Sequence, residues 1–171
     1  MRYRISSVEE VPDRAALDAL LRDYYAVVLA KLAAAGGPSH FTPEAVAATF
    51  WTGLHKVLPP TGRLLLVHDE DGALVGCSTL QQARPDAGEL KRLFVRPAAA
   101  GHGLGRQMVD IRMQAAREMG WKTLLVNAVR GNTDMLRIYE SIGFRYIDAY
   151  PECSDPVEAR PYFIFMQYDF A

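Results

Sequence analysis

The spacing of apolar positions changes period several times along the chain, and each change marks an element. Leu17, Leu20, Leu21, Tyr24, Val28 and Leu32 recur at intervals of three and four, which predicts a helix from Pro12 and Asp13 to about Ala35 with one core-facing side. Gly36, Gly37 and Pro38 end it, and residues 2–6 ahead of it read as a first strand. A second helix starts at Thr42, with Thr42 as N-cap, Pro43 at the first helical position and Glu44 in the first turn. Its Phe50 and Trp51 are expected to pack on the core rather than line a substrate opening. His40 and His55 flank this helix as surface or packing residues. Two β-branched, apolar runs on either side of Asp69, Glu70, Asp71 and Gly72 predict an antiparallel hairpin.

A largely buried strand is expected from Leu90 to Val95, where positions 93, 94 and 95 are all apolar, and Pro97 stops it. Beyond it Leu104, Met108, Ile111, Ala115 and Met119 share a helical face, with Gly120 at the C-terminal cap. Residues 122–129 form another buried strand. Residues 132–144 form a short helix with Met135, Ile138, Tyr139 and Ile142 on one face, closed by Gly143. Residues 145–150 and 161–170 read as two last strands joined by a polar, proline-containing loop. No repeat, linker or low-complexity segment interrupts this order, so residues 1–171 are expected to form one domain.

Composition narrows the classes. The chain has 171 residues, half of them hydrophobic, and a formal net charge of −1, which gives no general attraction to nucleic acid or to an acidic membrane surface. The amino terminus lacks the apolar core of a secretory signal and no apolar run reaches membrane-spanning length, so a cytoplasmic protein is expected. Cys77 and Cys153 belong to no CxxC or Cys/His cluster, which points to neither a metal site nor a disulfide framework; Cys77 reads as a small core residue.

Candidate chemistry concentrates between the strand at 90–95 and the helix behind it. Gly101, Gly103 and Gly105 stand at alternate positions ahead of a helix whose first N–H groups lack intrahelical partners, an arrangement suited to a phosphate or pyrophosphate. On spacing alone the glycines could equally do no more than turn the chain. A nucleotide-hydrolase phosphate loop requires Gly-Lys-Ser/Thr, but Arg106 and Gln107 follow Gly105. A dinucleotide fingerprint requires glycine at 106 and an acidic residue ending the next strand, where Asn127 and Ala128 stand. The segment instead resembles the acetyl-coenzyme A signature of the GNAT superfamily of N-acetyltransferases, Gln/Arg-x-x-Gly-x-Gly/Ala. Gly103 and Gly105 match it, and Ala100 departs from it. A second family signature, Asn-x-x-Ala-x-x-x-Tyr-Glu-x-x-Gly-Phe, is met by Asn132, Tyr139, Glu140, Gly143 and Phe144, with Met135 in place of the alanine.

The resemblance implies an α/β (α+β) fold: a mixed, mostly antiparallel sheet of about seven strands with a splayed central pair, flanked by about four helices. It implies acetyl-CoA as cosubstrate and no metal. The contacts carried over are Leu93, Phe94 and Val95 on the strand, Ala100, Gly101, His102, Gly103, Leu104, Gly105 and Arg106 at the loop, then Asn127, Asn132, Met135 and Tyr139. Acetyl transfer would proceed by direct attack of a neutral amine on the thioester in a ternary complex. An amine is mostly protonated at neutral pH, so a base is needed, and Glu89 ahead of the central strand is the candidate. The Val95 N–H would hold the oxyanion and Tyr139 would protonate the leaving thiolate. Asn132 is expected to hold the cosubstrate or cap its helix, and Arg106 to add positive charge near the pyrophosphate; Arg92 and Arg130 could do the same or equally be surface charges. The acceptor is expected to be a primary amine of a small molecule or peptide. Glu152, Asp155 and Glu158 are set to attract a cation, and homodimer formation is left open. The alternative from another class is a non-catalytic acyl-CoA-binding sensor or scaffold of the same fold.

Overall fold

The computed structural model describes residues 2–171. A seven-stranded mixed sheet runs in the order β1-β2-β3-β4-β5-β7-β6. The strands are β1 (Arg4–Val8), β2 (Gly62–His68), β3 (Leu74–Arg84), β4 (Ala87–Val95), β5 (Thr123–Val129), β6 (Arg145–Ile147) and β7 (Phe163–Asp169). The helices are α1 (Arg14–Ala34), α2 (Pro43–Thr52), α3 (Leu104–Glu118) and α4 (Thr133–Ile142). All neighbouring strands are antiparallel except β4 and β5. The expected fold class is therefore the one observed.

The two faces of the sheet are covered by different helices because alternate strand residues point to opposite sides. Leu65, Leu80, Leu90, Leu124 and Val126 join a core with Met108 of α3 and Tyr139 of α4. Leu64, Leu66 and Cys77 join Leu17, Leu20 and Leu21 of α1 and Phe50 of α2. Each such fully buried aliphatic side chain contributes about 1.5–3 kcal/mol relative to exposure. Local signals set the helix ends: the Asp13 side chain accepts from the Ala16 N–H, Thr42 accepts from the Ala45 N–H, and Gly143 closes α4 at φ 111°.

Two details of β4 depart from the sequence reading. The strand begins at Ala87, three residues before Leu90, because a tight turn at Pro85 and Asp86 brings Ala87 opposite Arg84. It also carries a β-bulge: Cys77 faces Phe94 while Thr79 faces Lys91, three steps on β4 against two on β3, and Arg92 within it takes φ 54°. Beside this bulge β4 leaves β5. Their parallel pairing runs from Ala87 with Thr123 to Leu90 with Val126 and stops, while β5 stays paired with β7 as far as Val129 with Phe163. The result is a V-shaped gap in the middle of the sheet, as the family resemblance implied.

Candidate active site

The glycine loop leads from the end of β4 into the start of α3. Gly101 has φ 81° and Gly103, the N-cap of α3, has φ 71°, conformations that side chains other than glycine rarely adopt. No side chain caps this helix, so its first N–H groups remain available to an anion, and nothing lies within 4 Å of where a Gly101 Cβ would stand. A Cβ on Gly105 would meet Ile138 Cδ1 at 3.3 Å, so this glycine serves the close packing of α3 on α4. His102 is exposed, its Nδ1 3.0 Å from the Ala100 carbonyl oxygen. Arg106 reaches Asp110 at 3.0 Å and Ser141 at 3.4 Å from an exposed position beside the loop. An uncapped, glycine-lined helix N-terminus of this kind fits a pyrophosphate.

Where β4 and β5 part, a cavity of about 570 Å³ opens, lined at one end by Leu93, Ala128, Asn132, Met135 and Tyr139. The strand edge offers a donor there. Arg96 N–H donates to the Val75 carbonyl on β3 at 2.8 Å, and because successive strand amides point to opposite edges, the Val95 N–H turns toward the gap. Tyr139 is buried and burial pushes its hydroxyl above the usual tyrosine value, with the neighbouring Arg112 guanidinium pulling the other way. Asn132 does not cap α4; its Oδ1 accepts from Lys31 Nζ of α1 at 2.9 Å, which ties the first helix to the cavity rim.

Arg112 is the residue the sequence pattern missed. Its side chain is fully buried, whereas Ile111, assigned to the core face, is 40% exposed. The buried face of α3 runs through Leu104, Met108, Arg112 and Ala115 with Val109, Met113 and Ala116 beside it. A charged residue between Met108 and Ala115 breaks the apolar pattern, so spacing alone selects Ile111 in its place. The arginine is there because the bulge leaves carbonyls to satisfy: Nη1 donates to Thr79 O at 2.9 Å and Lys91 O at 3.3 Å, and Nε to Met108 O at 3.2 Å. Nη2 has no hydrogen-bond partner.

The other end of the cavity is formed by α1, α2 and the loop before β7. Tyr24, Tyr25, Phe41 and Phe50 line it, so Phe50 serves both the core and the cavity, while Trp51 turns away to donate to Asp18 at 2.8 Å. Asp155 is the carboxylate on the wall, accepting from Asn127 Nδ2 at 2.7 Å. Asn127 thus stands at this acceptor end. Glu152 pairs with Arg84 and Glu158 with His40, away from the lining. Glu89 is buried beside the cavity but does not line it. Its Oε1 lies 3.3 Å from Lys91 Nζ and 3.5 Å from Gln81 Nε2, both of which do. Burial disfavours the Lys91 ammonium, but Asp155 and Glu89 outweigh it and hold its pKa above the ordinary lysine value. Burial, with the Glu89 carboxylate next in weight, raises the Tyr150 hydroxyl. Arg92 and Arg130 do not join the α3 N-terminus: Arg92 donates to Tyr25 Oη at 3.1 Å and lines the cavity, and Arg130 donates to the Pro161 carbonyl at 3.1 Å.

Comparison with known proteins agrees with this geometry. Residues 20–144 match the family described as "Acetyltransferase (GNAT) family". An uncharacterized N-acetyltransferase of Schizosaccharomyces pombe is 31% identical over 98 residues, 57% of this chain and 60% of that protein, so the match spans less than two thirds of the relative. An acetyltransferase from Streptococcus agalactiae superposes with a TM-score of 0.76 at 17% identity, covering 98% of both chains. A GNAT family acetyltransferase from Elizabethkingia anophelis with acetyl-CoA bound gives 0.62 at 17% identity, again over 98% of both chains.

Proposed function

The chain belongs to the GNAT acetyltransferase family, and on that premise we propose that it is an N-acetyltransferase that moves an acetyl group from acetyl-CoA to a primary amine of a small molecule or peptide. The observation that carries this reading is the cavity where β4 and β5 part, faced by Tyr139, together with the uncapped N-terminus of α3. The acetyl-CoA bound to the Elizabethkingia anophelis neighbour supports the same cosubstrate.

In this reading the α3 N-terminus, with Gly101 and Gly103, holds the pyrophosphate, and the gap walls at Leu93, Ala128 and Met135 hold the arm beyond it. Acetyl-CoA supplies an acyl group activated as a thioester. The Val95 N–H is the donor for an oxygen that gains negative charge in the gap. Tyr139 keeps its proton at neutral pH because burial raises its pKa, and delivers it to the departing sulfur. The amine proton goes to a carboxylate at the acceptor end. Asp155 meets the cavity directly, whereas Glu89 lies behind Lys91 and Gln81, so Glu89 acts as base by way of a bridging water.

Two measurements test the proposal. Calorimetric titration with coenzyme A should show binding by the parent and a loss of about 10-fold or more in Gly103→Val, whose branched side chain is strained at φ 71° and crowds the phosphate. Unchanged affinity in a folded variant removes the phosphate assignment. A thiol-release screen over amines should then find acceptors that consume acetyl-CoA. Tight coenzyme A binding with no turnover on any amine would favour the sensor reading.

A further inference from the structure

Arg92 is the arginine of the cavity lining. Arg84 pairs with Glu152, Arg96 with Asp23 and Arg106 with Asp110, each within 3.0 Å. Lys91 pairs with Glu89. Arg92 has no such partner among the described residues: its guanidinium meets Tyr25 Oη at 3.1 Å, Thr79 Oγ1 at 3.4 Å and the Phe50 ring at 5.3 Å, all neutral groups. A guanidinium has five N–H donors in a planar fork, and these contacts use two of them. The cation lies largely out of bulk water on the wall of the cavity. A charge in that situation calls for a counter-charge.

Its placement is not incidental. The bulge that re-aims this side chain holds Arg92 at φ 54°, the only positive φ at a non-glycine residue among those described. The cosubstrate's phosphates do not explain it, because the loop at 100–106 lies outside the cavity lining. Asp155 is the sole carboxylate of that lining. The cavity wall therefore carries Arg92 with no carboxylate partner, Lys91 held by Glu89, Lys56, and the carboxylate of Asp155, with apolar surfaces from Tyr24, Val28, Leu29 and Phe41.

We infer that the acceptor is an amine that also carries a carboxylate, gripped by the Arg92 guanidinium, with an apolar body against α1 and α2. This rests on the acetyltransferase reading and names its substrate class. In the step, the amine nitrogen bonds to the acetyl carbon as the carbon–sulfur bond breaks. The amine proton leaves to the acceptor-end carboxylates, the sulfur takes a proton from Tyr139, and the substrate carboxylate is unchanged. A carboxylate suits the site better than a phosphate, since a monoanion balances one guanidinium while Asp155 and Glu89 nearby disfavour a dianion.

The test is thiol release by the full chain with acetyl-CoA and matched acceptors: L-phenylalanine, its amide, phenethylamine and its aminophosphonate analogue, with L-leucine and isopentylamine as a smaller pair. Each kcat/KM is corrected for the fraction of neutral amine. The amino acids should exceed their neutral partners by about 10- to 100-fold. In Arg92→Met that ratio should fall close to one, and in Arg92→Lys, which keeps the charge but loses the fork, it should be intermediate. Should Arg92→Met not fold, the parent's preference and the Arg92→Lys ratio decide. Neutral amines turned over as well as the amino acids, the phosphonate preferred, or no amino acid turned over while coenzyme A still binds, would each overturn the inference. Coenzyme A titration separates the two levels: failure to bind it at all removes the acetyltransferase reading itself.

Discussion

Tyr139 and Arg112 show how two side chains from neighbouring helices set one proton. Desolvation raises the tyrosine pKa and the arginine beside it works the other way. The sign follows directly: with a pKa above the ordinary 10.0, the hydroxyl is the protonated donor throughout neutral pH, and its loss of function belongs to strongly alkaline solution. Tyr139→Phe keeps the ring among Met108, Phe144 and their neighbours but removes that proton. We predict a fall in kcat of about 10²- to 10⁴-fold at unchanged acetyl-CoA affinity. The deficit should shrink with an acyl donor whose thiol is more acidic; a constant deficit across donors would indicate lost positioning instead. Arg112→Met takes away the opposing charge, so the ultraviolet titration of Tyr139, isolated as the difference between proteins with and without the Tyr139→Phe change, should move to still higher pH. Movement to lower pH would show that Arg112 does not act on Tyr139.

Among the elements, β4 carries the most consequence. Its first half is zipped to β5 and its second half is not, and Gly88 sits in the zipped part, where an added Cβ would run into the Trp121 ring. Gly88→Ala should therefore overpack this end and destabilise the protein by about 1–3 kcal/mol in urea unfolding. A neutral result would mean that Trp121 yields freely. Much of this element level was legible in the sequence because its signals are local: the cap at Thr42, the Asp69–Gly72 turn, the glycines at 120 and 143. The start of β4 was less so, since Ala87 and Gly88 have little intrinsic strand preference and are held by pairing on both sides. The bulge at Arg92 was hidden for a related reason. It exists because Arg112, distant in sequence, supplies the hydrogen bonds that the broken ladder lacks. Spacing rules can find neither partner of such an exchange.

At the scale of the whole molecule, the acceptor end depends on parts far apart in sequence. Lys31 of α1 reaches Asn132, Asn127 of β5 reaches Asp155, and Arg160 holds the carbonyls of Cys153 and Asp155 at 2.6 Å and 2.9 Å. The two family signatures mark the loop ahead of α3 and the helix α4 in the sequence, but no local motif records this second end of the cavity. The same packing shuts weak acids away from water. Burial pushes the Cys77 thiol from 9.0 up to about 12 and the Cys153 thiol up to about 11, and holds Tyr24, Tyr139 and Tyr150 above the ordinary tyrosine value. In the unfolded chain the thiols ionise near 9 and the tyrosines near 10, so above those values the unfolded state binds fewer protons than the native one. Stability should therefore be fully present below pH 9 and fall progressively as pH rises through about 9 to 12. Urea midpoints measured at half-unit steps from pH 7 to 11 should be flat at first and then decline. Cys77→Ala should make the decline shallower, because it deletes the thiol that stays protonated to the highest pH. A midpoint unchanged between pH 9 and 11 would mean that these groups ionise as readily folded as unfolded, and that water reaches a core the structure closes.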